Sequence, residues 1–335
     1  MIRHGAYVLA MLALLGSAAT ARAADICPAP AGPDPSYAAR IARIACGENR
    51  LWYRPFITDD GRLASVRVSE AEAYPLADGS TPAWRRVVDY WRGSGLLPSA
   101  AGRPGAADCA IAGPSSPSLP ACRTFIIDTP WSATFVSWVL VTAGVPGFRA
   151  SPSHFDFLRD AYRRDDSPFR LVDPRGEAAA PGDLLCFSRA TPVLGPSGFL
   201  QFLQGRPEGA LAMHCDIVVE NAVAAGRLYT VSGNVLQGVS LRILDVNPQG
   251  LLWNLPQRSS GDVACQPEAP TACSFNRQDW VALLKLKPLP PPPTLVPAAP
   301  TAPACCTACP LPMPEGVRRC PSPTAPPTVV PPPGV

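Results

Sequence analysis

The stretch TPWSATFVSWVLVTAG, residues 129–144, decides how the rest of the chain is read. Both of its ends carry helix signals. Thr129 is a capping residue type, and Pro130 stands where a missing N–H leaves nothing unpaired. Gly144 follows the last apolar residue, where a left-handed backbone closes a helix, and Pro146 bars continuation. Phe135, Val136, Val139, Leu140 and Ala143 recur at helical spacing, which predicts a deeply buried face. On this reading Ser132 is third in the helix, between Trp131 and Ala133. A hydroxyl in a first turn lies among unpaired N–H groups and at the positive end of the helix dipole, where developing negative charge is favoured.

Working outward, the chain begins MIRHGAYVLAMLALLGSAATARA, a basic start, an apolar run and a small-residue ending at Ala21-Arg22-Ala23. This is the pattern of a cleaved secretory leader over residues 1–23. No later segment approaches the roughly 18 apolar residues of a membrane span. The expectation is a soluble mature protein in the periplasm or outside the cell.

All 12 cysteines lie beyond the leader, and an oxidising compartment predicts that most of them pair. Spacing suggests three local pairs, Cys27–Cys46, Cys109–Cys122 and Cys265–Cys273. Cys186 and Cys215 fall in apparent core strands, either as a buried pair or as two inert thiols. Zinc is the competing reading for Cys305, Cys306 and Cys309 with Cys320. Irregular spacing and the lack of a nearby histidine argue against it, and no metal or cofactor is expected. The net charge of +3 is spread without a basic run, which argues against nucleic acid.

Asp34–Gly47 predicts an amphipathic helix, Ser69–Ala73 a short one, and Thr81–Trp91 a stronger one with Trp84, Val87, Val88 and Trp91 on one face. Leu96–Ala121, rich in Gly, Pro and Ser, reads as a stapled loop. Residues 151–164 predict a helix with Phe155, Leu158 and Tyr162 inward. The period then changes. After the turn Ala180-Pro181-Gly182-Asp183, strands are expected at Leu184–Ser188, Met213–Glu220, Leu228–Ser232, Val239–Val246 and Trp280–Leu286. Helices followed by a meander indicate an α+β domain over residues 24–287, its core at 80–287. Residues 288–335, dominated by proline, cannot bury a core and read as a disordered tail.

Two histidines follow the leader, His154 and His214. His214 opens the strand MHCDIVVE, in which His214 and Asp216 share one face and Cys215 and Ile217 the other. A histidine at a strand mouth, packed against a helix carrying a nucleophile, is a workable general base. If this strand and the next, which ends at Ser232-Gly233-Asn234, pair as a hairpin, Asn234 lies near His214 and can orient its ring; Asp216 competes for that role. Trp131 and His154 are candidate substrate contacts. Each residue also has a plain structural reading: Ser132 as a secondary cap, His214 as a hydrogen-bonded strand residue, Asn234 as a turn former, His154 as a helix cap.

In order, PWSATFVSWVLVTAGV, PGDLLCF, HCDIVVE and YTVSGNVLQGVSL resemble motifs of the CHAP and NlpC-type cell-wall peptidase superfamily, and more narrowly an uncharacterised bacterial branch of it. The resemblance covers roughly residues 80–287. It implies a papain-like fold, helices packed on a central antiparallel sheet. It also implies an exported amidase or endopeptidase acting on peptidoglycan peptides or a related amide or ester. Carried over by position, the nucleophile is Ser132, the base His214, and the orienting residue Asn234. The departure is at the nucleophile, a cysteine in such enzymes. A serine hydroxyl cannot be pre-ionised like a thiol and requires concerted proton removal. Two other readings stand beside hydrolysis: a silent relative that binds cell-wall peptides, and a structural envelope protein whose proline tail holds a partner.

Overall fold

The computed structural model describes Cys27, residues 36–292 and Cys320. The secretory leader, nearly all of the proline-rich tail, and Cys305, Cys306 and Cys309 lie outside the described residues. The helix of the opening stretch, α5 (Ser132–Ala143), runs through the middle of the core with its side chains buried nearly all round. It packs on the sheet and on α1 (Tyr37–Leu51) and α2 (Ala83–Gly93). Gly144 closes it in the left-handed conformation, φ 76°, as the sequence predicts. Its start differs. Thr129, extended because Pro130 follows, ends the preceding helix α4 (Leu119–Asp128), and the chain bends 99° between the two. Ser132 is therefore the first helical residue, not the third.

The element order is α+β. Two short strands, β1 (Phe56–Ile57) and β2 (Leu63–Ala64), follow α1. After α2 come α3 (Ala106–Ile111), α4, α5, α6 (His154–Arg163) and β3 (Phe169–Val172). Then follow β4 (Leu184–Ser188), α7 (Gly195–Gln204), β5 (Met213–Ala222), β6 (Arg227–Val235), β7 (Gly238–Asp245) and β8 (Asp279–Leu286). The eight strands form one sheet in the order β2-β1-β7-β6-β5-β4-β8-β3. Its pairings are antiparallel except β1 with β7, which is parallel, so the sheet is mixed and not wholly antiparallel as expected. The compact unit ends at Pro291.

Both faces of the sheet are covered, which explains the near-continuous apolar runs of β4 and β8. Cys215, Ile217, Val231 and Leu241 face the helices. Leu185, Phe187, Val218, Leu283 and Trp280 face the segment carrying Leu252 and Leu255. Cys186 and Cys215 sit directly opposite each other on β4 and β5 and are disulfide-bonded. The structure also forms Cys27–Cys46, Cys109–Cys122 and Cys265–Cys273. These four disulfides among the described residues fit an oxidising, extracellular environment. Among the described residues no single helix is long and apolar enough to cross a membrane.

Three expectations are corrected. Residues 69–73 form no helix but a turn, because Glu70 is drawn into the core by the Trp131 indole. The stretch 96–121 is not one loop: it contains α3 and the start of α4 between turns, and its staple joins those two helices. Tyr162 is 39% exposed, on the outer side of α6.

Gly233 sets the depth of α5 against the sheet. A Cβ there would lie 2.5 Å from Phe135 Cβ and 2.8 Å from the Trp131 ring, so only glycine lets β6 come this close. The next residue, Asn234, has φ 55°, and the strand bulges between Ser232 and Val235. The bulge turns the Asn234 side chain toward the start of α5.

Candidate active site

Ser132 opens α5 with no side chain capping its first turn, so the hydroxyl shares that turn with N–H groups that have no intrahelical partner. Its Oγ lies 2.8 Å from Nε2 of His154. The histidine that meets Ser132 is thus the one opening α6, not His214. The placement comes from a bridge between the two helices. The Ser137 hydroxyl, inside α5, donates to the Ser151 carbonyl at 2.9 Å and accepts the Ser151 amide at 3.0 Å. That fixes the chain entering α6 alongside α5, three residues before His154.

Behind His154 stands the ring of His214, centroid to centroid 5.0 Å. Each nitrogen of His214 faces a charged side chain. Arg189 reaches Nδ1 at 3.4 Å, and a guanidinium only donates, so Nδ1 is the acceptor and the ring proton sits on Nε2. Nε2 lies 3.1 Å from Asp216 Oδ1, with the N–H poorly aligned on the oxygen. His214 has no nitrogen free to accept a proton from Ser132. Asp216 in turn accepts from Arg242 Nε at 2.6 Å and from the Thr230 hydroxyl at 3.2 Å. Arg242 is anchored by the Phe275 carbonyl and Asn276.

Charge follows this geometry. Burial, then the His214 and Arg189 charges, push the His154 imidazole well below its ordinary value. Burial also lowers His214, against the pull of Asp216. Both rings are neutral near pH 7. Burial alone would raise Asp216, but the Arg242 guanidinium and the contact with His214 overcome it and hold the carboxyl far below the usual range. The result is a line of side chains, Ser132, His154, His214, Asp216 and Arg242, carrying a fixed ion pair at one end and a hydroxyl at the other. When His154 Nε2 accepts the hydroxyl proton, its Nδ1–H is left buried without a hydrogen-bond partner.

Asn234 and Trp131 do not play the parts expected of them. Asn234 makes no hydrogen bond to His214. With its amide oriented to suit its neighbours, its nitrogen donates to Glu70 Oε2 and its oxygen accepts the Trp131 amide, each at 3.1 Å. Trp131 is fully buried, stacked on Trp52 and Tyr90, and donates Nε1 to Glu70 at 2.6 Å. It is core, not a substrate platform. Burial raises Glu70, only partly offset by that indole bond. Together Glu70, Trp131 and Asn234 brace the corner from which Ser132 projects.

Arg189, Arg242, Glu70 and Ser137 escaped the sequence reading. Arg242 carries the one available signal: an arginine inside the apolar strand VSLRILD implies a buried carboxylate partner, here Asp216. The whole cluster is closed: Ser132 is 9% exposed, His154 4%, His214 and Asp216 0%. Among the described residues no group of three or more His, Cys, Asp or Glu side chains is arranged to hold a metal ion.

In comparisons with known proteins, a family described as "Uncharacterized protein conserved in bacteria (DUF2272)" matches residues 78–286. That span holds α5, α6 and every strand of the cluster. No curated protein and no solved structure matches the chain.

Proposed function

This chain belongs to the bacterial family DUF2272, and for it we propose an exported hydrolase of amides or esters in which Ser132 is the nucleophile and His154 the general base. The observation that carries the reading is the 2.8 Å contact between Ser132 Oγ and His154 Nε2 at a helix start. A neutral imidazole in reach of a hydroxyl can remove its proton as the oxygen attacks a carbonyl carbon. The first-turn N–H groups and the helix dipole favour the oxyanion that forms. His214 supports the base from behind, held in one tautomer by Arg189 and Asp216.

A papain-like kinship is part of the proposal. A helix opened by the candidate nucleophile, packed on an antiparallel core of strands with a histidine at a strand start, supports it. From that kinship come the substrate class, peptides of the cell wall, and a place in the periplasm or outside the cell. The leader pattern and the disulfides support the location. A partner in the envelope for the proline-rich tail belongs to the same proposal.

The burial of all four side chains favours a second reading, a silent relative whose cluster only ties helices to sheet. A fluorophosphonate probe separates the two. On the oxidised, folded protein, hydrolysis predicts labelling that is lost in Ser132→Ala and His154→Ala and weakened in His214→Ala. An unlabelled wild type supports the silent reading and overturns the first. Release of amino groups from muropeptides by the wild type, and not by Ser132→Ala, tests the substrate class.

A further inference from the structure

Between β7 and β8 the chain makes a long excursion over residues 246–278, its outer part closed by Cys265–Cys273. With the Thr191–Val193 corner after β4, this excursion borders a half-open cavity of about 540 Å³. That is the size of a small-ligand site. Two guanidinium groups line it, Arg258 and Arg277, against one carboxylate, Asp262.

Asp262 is already committed. Its Oδ1 accepts the Ser259 hydroxyl at 2.5 Å and the Arg277 guanidinium, and its Oδ2 accepts the Ser259 amide at 2.8 Å. Those Ser259 bonds first, and then the Arg277 and Arg258 charges, hold the carboxyl below its usual range, so it stays ionised. One of the two cations is thereby neutralised. The other, Arg258, is half-buried, and its guanidinium has no hydrogen bond or ion pair among the described residues. Much of the remaining wall is apolar: Pro192, Val193, Val263, Ala264 and Ala272.

We propose that this cavity is a binding site for a small monoanion that carries a carboxylate beside an apolar group, with Arg258 as its forked donor. Two guanidinium groups against one carboxylate leave a single net positive charge, which matches a monoanion better than a phosphate dianion. A planar guanidinium matches a carboxylate through paired N–H donors. The apolar wall takes the rest of the ligand. The site is separate from Ser132 and does not depend on the hydrolase reading.

The test is a titration of the oxidised, ¹⁵N-labelled full chain with N-acetylleucine, with N-acetylleucinamide and inorganic phosphate in parallel, following amide shifts over residues 258–264. The carboxylate is expected to give saturable shifts in the millimolar range, with the neutral amide and phosphate about tenfold weaker or more. Arg258→Gln is expected to weaken the carboxylate by about tenfold, while Arg206→Gln, on a different surface, leaves it unchanged. Amide or phosphate binding as strong as the acid overturns the proposal. So does wild-type affinity in Arg258→Gln, or no saturable shift with the acid at tens of millimolar. The acid-to-amide ratio on the wild type decides the matter even if a variant fails to fold.

Discussion

Two buried polar clusters lie on either side of Trp131, and they are built to different standards. In the first, Arg86 grips Glu48 with two bonds, 2.8 and 2.5 Å, Tyr90 donates to Glu48 at 2.6 Å, and Trp52 donates to Tyr90 at 2.8 Å. The Arg86 guanidinium also lies over the Tyr90 and Trp138 rings. None of these side-chain atoms is buried without a partner. In the second, His154 Nδ1 is orphaned and the His214–Asp216 contact is misaligned. A fully satisfied network rigidifies a core, whereas an unmet buried donor leaves a network incomplete. The contrast sets a fully paired scaffold against a cluster with an unmet donor, the one that the hydrolase proposal makes reactive.

The largest effect expected is on stability, and it is shared by both. Arg86→Leu and Arg242→Leu each leave a buried carboxylate without its cation, and each is expected to lower the unfolding free energy in urea by about 3–5 kcal/mol. A loss under about 1 kcal/mol in either would place that cluster in solvent and break the comparison. What separates them is labelling by the fluorophosphonate, which Arg86→Leu is expected to preserve while the protein remains folded. Next in size is Gly233→Ala, which drives a methyl into Phe135 at the base of the reactive cluster and is expected to cost about 1–3 kcal/mol by the same measurement.

Acid sharpens the contrast further, because only the second cluster contains histidine. Both imidazoles are held below the ordinary value of about 6.5. Between their folded values and 6.5 the unfolded chain therefore binds more protons, and stability falls as pH drops through that window. Each histidine adds a slope of up to about 1.4 kcal/mol per pH unit. Asp216, depressed instead from the carboxylate range, adds its loss only below about pH 4. Urea titrations from pH 7 downward are expected to show this slope, shallower in His154→Phe. A wild-type curve flat between pH 6.5 and 5 contradicts the assignment of neutral rings. The smallest stability effect is that of His154→Phe at pH 7. It removes an orphaned atom along with one hydrogen bond, and the net change is expected within about 1 kcal/mol, while labelling disappears.

The legible parts of the fold were those whose signals are local. The Gly144 stop, the turn before β4 and the apolar runs of β4 through β8 all carry their reason in adjacent residues. Helix α7 does not: GPSGFLQFLQ opens on turn formers, and what holds its start is Asp279, more than eighty residues away, accepting the Leu194 and Gly195 amides. Strands β1 and β2 have two residues each, too short for any period to show. The candidate site divides in the same way. Ser132 and the strand pair His214 and Asp216 could be read from position and alternation. The pairing of Ser132 with His154 could not, since it depends on Ser137 catching the Ser151 backbone across two helices. A regular hairpin would aim Asn234 at His214, whereas the bulge after Gly233 aims it at Trp131.

The bond between Cys186 and Cys215 ties the reactive cluster to the register of the sheet. Cys215 stands between His214 and Asp216, and its sulfur is welded to the residue directly across on β4. A slip of one position in that pairing would exchange the faces of β5 and carry Asp216 away from Arg242. The disulfide makes the unslipped alignment covalent. A slipped β5 would turn Cys215 away from Cys186, so the disulfide is compatible only with the register that sets Asp216 beside Arg242.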